Sequence, residues 1–144
     1  MNKIEKWFSS KSDVGLFLLR IFIGLRIIYG VFDNIISWNR MMEFSGFLKA
    51  NSFPVPTFCA VLSVYAQFIC AVLILLGYET RFATFILVFN FIVATVMVHR
   101  NDSIEVMTPA LAMLFISVGL LFTGAGKWGI GKSYNTTIEN KTLN

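Results

Sequence analysis

The sequence predicts an all-α fold, a transmembrane four-helix bundle with the N and C termini in the cytoplasm. Three observations lead there. Of the 144 residues, 56% are hydrophobic and only 14% charged, where a soluble domain carries about 25% charged residues. The mean hydropathy is +0.71, and a water-exposed surface could not hide that much apolar side chain. Four hydrophobic windows, Val14 to Ile36, Val55 to Leu76, Phe82 to Val98 and Ile104 to Thr123, each approach the ~20 residues that cross a hydrocarbon core. Outside them, Lys3, Lys6, Lys11, Arg81, Lys127, Lys132 and Lys141 fall on one side of the four-span topology, and Arg40, Lys49 and Arg100 on the other. The basic-rich side faces the cytoplasm.

In chain order, residues 1–13 form a cytoplasmic N-terminal segment, and Ser12-Asp13 can cap the first helix. The first window is as long as a full span and lacks a small-x-small cleavage site, so it is expected to remain as an anchor. The loop from Ser37 to Phe53 faces outward. Pro54-Val55-Pro56 breaks that loop and starts the second helix where proline is tolerated, and Gly77 ends it. Asp102-Ser103-Ile104-Glu105 has the spacing of a capping box for the fourth helix. Pro109 removes the hydrogen bond to the Glu105 carbonyl, which predicts a kink or a late helix start. The uninterrupted apolar part, Ala110 to Phe122, is short, but Ile104, Val106 and Met107 extend it to a span. The membrane domain therefore covers 14–132, and the Asn- and Thr-rich residues 133–144 form a flexible cytoplasmic tail.

Several function classes are disfavoured. The net charge is +4, but the basic residues are scattered rather than clustered in a stripe, which argues against nucleic acid. Cys59 and Cys70 show neither CxxC nor metal-ligand spacing. Within one helix they stand roughly 16 Å apart, too far for a disulfide. One His, no paired Cys, and no phosphate-binding loop or haem, flavin or iron-sulfur signature point away from a redox centre held by this chain alone.

The informative positions are polar residues inside the windows. Arg26, Gln67 and Asn90 lie near the middle of the first three windows and share one depth. An arginine there costs about 2.5–3.5 kcal/mol on insertion scales, and a carboxamide oxygen can accept its donors. Two readings stay open for this set: hydrogen bonds that only fix helix packing, or a ligand or proton site. Asp33 follows Arg26 on nearly the same face, with Tyr29 and Gly30 between them, so the first helix carries a polar stripe. Arg20 is expected to snorkel toward the headgroups in a mainly structural role. At the outer ends, Asp33 comes level with His99, Asp102, Glu105 and Cys59. An acid, a base and a thiol at one depth suit proton transfer coupled to redox chemistry, which makes Asp33, His99 and Glu105 candidate catalytic groups. Against this, Glu105 reads equally as a capping residue and His99 as a solvated imidazole at a span end. Trp7, Trp38 and Trp128 lie where interfacial belts form.

Leu18-Leu19-Arg20-Ile21-Phe22-Ile23-Gly24 followed by Tyr29-Gly30, then Leu73-Ile74-Leu75-Leu76-Gly77-Tyr78-Glu79-Thr80-Arg81, then His99, Glu105 and Gly124-Ala125-Gly126-Lys127-Trp128 resemble the DoxX family of small bacterial and archaeal membrane proteins. The likeness runs over about residues 14–132. It implies a four-helix membrane bundle and a link to membrane redox chemistry, since relatives include a subunit of an archaeal thiosulfate:quinone oxidoreductase and a partner in a mycobacterial oxidoreductase complex. Three positions depart from the family pattern. Gln67 stands where many relatives have Glu, Tyr29 where several have His, and Gly124-Ala125-Gly126-Lys127 where the pattern is Gly-Pro-Gly-Arg. The first two remove titratable groups from the membrane interior.

The leading expectation is an accessory subunit, not catalytic on its own, of a larger bacterial inner-membrane complex, with a respiratory complex as one setting. Such a subunit contributes helix packing and part of a quinone or lipid site, and its partners are the bilayer and the other subunits. The alternative is a quinone-linked oxidoreductase subunit in which Arg26, Gln67 and Asn90 hold the quinone head while Asp33, His99 or Glu105 exchanges protons. A third reading, a small transporter, rests only on the polar stripe. No metal and no nucleic acid are expected.

Overall fold

In hydrocarbon every backbone N–H and C=O must be paired within the chain, and for an apolar sequence without strand alternation the helix meets that demand. The computed structural model describes residues 2–9, 11–98 and 102–131. Among them are six helices and no strand: α1 (Lys3–Ser9), α2 (Ser12–Ile36), α3 (Trp38–Ala50), α4 (Pro56–Leu76), α5 (Thr80–Met97) and α6 (Ile104–Thr123). Four of these, α2, α4, α5 and α6, are long and apolar enough to cross a membrane. Their ends fall within two residues of the four hydrophobic windows.

The spans pack in chain order, α2 on α4, α4 on α5 and α5 on α6, and α2 meets α6 over a short stretch only. Their shared core holds Ile23, Ile27, Ala71, Ile74, Leu87 and Leu120. Gly24 lets α2 approach α4 closely: a Cβ there would stand 2.5 Å from Leu75 Cγ and 3.2 Å from the Ala71 carbonyl oxygen.

The segment Ser37 to Phe53, expected as a loop, is instead occupied by α3. Met41, Ser45 and Leu48 recur at helical spacing and are buried, with Met41 and Leu48 packed in a second core with Val31, Ala60 and Val64. Ser45 Oγ lies 2.9 Å from Thr57 Oγ1, which ties α3 to α4. Burying that apolar face is worth more than leaving the segment solvated. Trp38, Met42 and Phe47 of the same helix are exposed.

Helix ends match the sequence in part. Pro56 opens α4, and Gly77 closes it at φ 69°, with the Gly77 N–H on Ile74 O and the Tyr78 N–H on Leu73 O in a Schellman pattern. Ser12-Asp13 does not cap α2. The cap position is Lys11, without a side-chain bond, and Asp13 Oδ1 instead accepts the backbone N–H of Lys127 at 2.9 Å. Nor does the capping box form: the cap is Ser103, again without a side-chain bond, which places Glu105 one position too early to reach back. Glu105 remains in the first turn, where its charge favours the helix dipole. Of the two outcomes expected at Pro109, a kink or a late start, the late start is absent, because α6 begins at Ile104 and runs through Pro109.

Arg20 does not snorkel. It is 1% exposed and donates from Nε to Ile74 O at 2.8 Å, from Nη2 to Leu75 O at 2.9 Å and from Nη1 to Ala125 O at 2.8 Å. The last carbonyls of a helix have no partner within it, and a guanidinium fork placed against them supplies both donors and charge. The Gly77 turn leaves room for it, since a Cβ on Gly77 would collide with that guanidinium and with Gly129 Cα. Phe17 sits between Arg20 and Trp128, its ring 5.9 Å from the Arg20 Cζ and 5.2 Å from the indole. This end of the bundle is thereby locked to the turn that follows α6.

Candidate functional site

Because α2 and α6 meet so briefly, they leave an open cleft of about 280 Å³ between them. Arg26, Ile27 and Gly30 of α2 line one wall, and Val106, Pro109, Ala110 and Met113 of α6 the other. Gln67 of α4 and Phe91 of α5 form the floor. The cleft is mainly apolar, with two polar side chains from different helices converging on it.

Among the described residues, nothing accepts a hydrogen bond from the Arg26 guanidinium or forms an ion pair with it. Its Nη1 lies along α2 toward Gly30, 3.4 Å from where a Cβ on that glycine would be. Gln67 is half-buried and donates from Nε2 to Ser63 Oγ at 2.9 Å; Asn90 Nδ2 reaches the same oxygen at 2.9 Å. Ser63 thus joins α4 to α5 behind the cleft. It was absent from the sequence expectations, although its place one turn before Gln67, on the same helix face, was a usable signal.

Ser63→Ala removes the shared acceptor, and it is expected to lower stability by about 0.6–2 kcal/mol, the range for such bonds between membrane helices. Thermal unfolding of Ser63→Ala, Asn90→Ala and the double variant in detergent checks this. A bridge makes the double cost smaller than the sum, whereas additive costs would rule the bridge out.

The other expected site residues lie elsewhere. Asn90 is not in the cleft lining, and Tyr29 is 80% exposed and outside it. Asp33 and Glu105 are exposed and do not line the cleft, although Glu105 precedes Val106, which does. Cys59 Sγ donates to Pro54 O at 3.0 Å. His99 lies outside the described residues, as do Arg100, Lys132 and the tail 133–144. Among the described residues no three of His, Cys, Asp and Glu come close enough to hold a metal ion. The cleft offers a permanent cation with five donors and an amide, neither of which exchanges protons near neutral pH. Such groups can hold a ligand by charge and hydrogen bonds.

A model of one family, DoxX, matches residues 15–100, more than half of the chain. The chain belongs to the DoxX family. The matched range starts within α2 and takes in α3, α4 and α5. Comparison with curated proteins and with solved structures gives no match.

In this DoxX protein the segments around Arg20, Gly77 and Gly124 to Trp128 meet at one place. Arg20 binds the end of α4 and Ala125. Lys127 Nζ stands 3.4 Å from Asp13 Oδ2, and Arg81 Nη2 stands 3.4 Å from Phe122 O at the end of α6. The cleft lies toward the opposite, α3, end of the bundle.

Proposed function

We propose that this DoxX protein is an accessory subunit of a larger membrane complex, and that its cleft receives the head group of a membrane-soluble molecule. The observation that carries the reading is the Arg26 guanidinium, exposed to the open side of a mainly apolar cleft and without a partner among the described residues. A cation at that depth is costly, and it is kept where something binds to it. A pocket with apolar walls and few convergent polar groups is the form that small-molecule sites take. Arg26 and Gln67 are the binding groups, Ser63 and Asn90 hold Gln67 in place, and a quinone or a lipid is the kind of molecule admitted. Reacting groups come from the partner subunits. The reading takes a bacterial inner membrane as its setting, and the Lys and Arg bias supports placing both termini in the cytoplasm.

Native mass spectrometry of the tagged protein, expressed at its natural level and extracted in mild detergent, tests this reading. The expected result is stoichiometric partner chains together with a bound small molecule. A bare monomer or homo-oligomer with neither would overturn it.

A further inference from the structure

We infer that the cleft selects an anionic head group on an apolar tail, a carboxylate or phosphate carried by an acyl chain, which seats on Arg26. This rests on the binding role proposed above and adds the charge of the ligand. Three features of the structure converge on it.

The first is position. Arg26 lies ten residues from Ile36 and fourteen from Ser12, about 15 and 21 Å along the helix. Its side chain cannot reach either interface by snorkelling, so the charge must be met within the membrane. The second is the lack of a countercharge. Asp33 and Glu105 do not line the cleft, and no acceptor reaches the guanidinium among the described residues. A neutral ligand would hydrogen-bond to Arg26 and leave its charge uncompensated. An anion with two oxygens in one plane satisfies the fork and the charge together.

The third is the shape of the cleft. Along α6 the lining runs from Val106 to Met113, two to nine residues beyond the helix start at Ile104, which is about 3 to 14 Å. The cleft therefore descends from near the α3 end of the bundle to mid-depth. Gly30, one turn beyond Arg26, keeps this passage open and gives the guanidinium space to lie toward the entrance. A head group can enter from the headgroup region while its tail stays among the lipids. The 280 Å³ volume accommodates a head and a few methylenes, and no more is required.

The test is a native mass spectrometry titration of the full chain in neutral detergent at neutral pH. The probes are oleate, phosphatidylglycerol, the uncharged glyceride monoolein and decylubiquinone. Wild type is expected to bind one of the two anions, one per chain, and Arg26→Gln to weaken that binding about ten- to a hundredfold. Arg26→Lys should recover part of the loss. Ala110→Phe, which fills the cleft without touching the charge, should abolish binding. Preference for oleate assigns a fatty acid; preference for phosphatidylglycerol assigns a phospholipid. Equal anion binding by wild type and Arg26→Gln would overturn the inference. If Ala110→Phe then still removed monoolein or quinone, the binding role of the cleft would stand with a neutral ligand. Four probes all indifferent to Ala110→Phe would end both.

Discussion

Arg20→Met is expected to lose most of its folded yield and to melt far below wild type. The side chain donates to three carbonyls at 2.8–2.9 Å, those of Ile74, Leu75 and Ala125, in a site 1% exposed. Methionine fills much of the volume but orphans the Leu75 and Ala125 carbonyls, at about 1–3 kcal/mol each, and strips the Ile74 carbonyl to the Gly77 N–H alone. Even with partial relaxation the total is several kcal/mol, a large share of the 5–15 kcal/mol that typically holds a domain together. Arg20→Lys should recover only part, since an ammonium keeps the charge but cannot span carbonyls on two segments as a planar fork does. Arg40→Met serves as the control. Arg40 pairs with Glu43 at 2.9 Å, but both side chains are more than half exposed, and such pairs contribute about 0–1 kcal/mol. Fluorescence-detected size-exclusion profiles taken over a temperature series separate the three. If Arg20→Met matched Arg40→Met, the lock would have no energetic role.

Arg20 and Arg26 show why part of this molecule could be read from the sequence and part could not. Both are arginines inside the same hydrophobic window, under two turns apart, and window arithmetic treats them alike. Their fates diverge because the close approach of α2 to α4 at Gly24 turns Arg20 onto the end of α4 and Arg26 toward α6. The roughly 120° between them follows from their six-residue spacing, but which neighbour each face meets depends on tertiary packing and is invisible in composition. Arg26 and Gln67 were grouped by depth, and they do line one cleft. Asn90 was grouped with them on the same ground but reaches Gln67 only through Ser63. Tyr29 was placed on the Arg26 stripe by being three residues on. Three residues turn a helix by about 300°, enough to leave it outside the lining.

The caps and α3 were missed for a different reason. Asp13 and Asp102-Ser103 carry the side chains that cap helices, but Asp13 is drawn to an N–H 114 residues away, which local spacing cannot anticipate. The α3 segment escaped a search for long apolar windows because only one face is buried, through Met41, Ser45 and Leu48, while Arg40, Glu43 and Lys49 keep its mean hydropathy low. Its helical period is weak as well, because Trp38, Met42 and Phe47 put apolar side chains outside the buried stripe. The spans themselves were legible because bilayer thickness fixes their length and apolarity directly.

Gly24→Ala and Gly24→Ile are expected to destabilise the bundle in that order, through the contact that sets the rotation of α2. A Cβ at Gly24 would meet Leu75 Cγ at 2.5 Å, Leu75 Cδ2 at 2.7 Å and the Ala71 carbonyl oxygen at 3.2 Å. The Cγ is held near its own helix and the carbonyl is backbone, so rotating one methyl does not clear the space. Overpacking of this kind costs about 1–3 kcal/mol, more than the roughly 1 kcal/mol that alanine gains over glycine in a helix. For alanine the net loss is therefore modest, and for the β-branched, longer isoleucine it is several times larger. Gly119→Ala provides the opposite expectation, because nothing lies within 4 Å of its Cβ position, so only the propensity gain should show and the melting temperature should hold or rise. Since α2 rests chiefly on α4 and barely on α6, a wedge at Gly24 also moves Arg26 relative to Gln67. Ligand retention in Gly24→Ala should consequently fall even though the residue lines no part of the cleft. Equal melting temperatures for Gly24→Ala and Gly119→Ala would show that α2 and α4 have slack at this crossing. The positions of Arg20 and Arg26 would then need another cause.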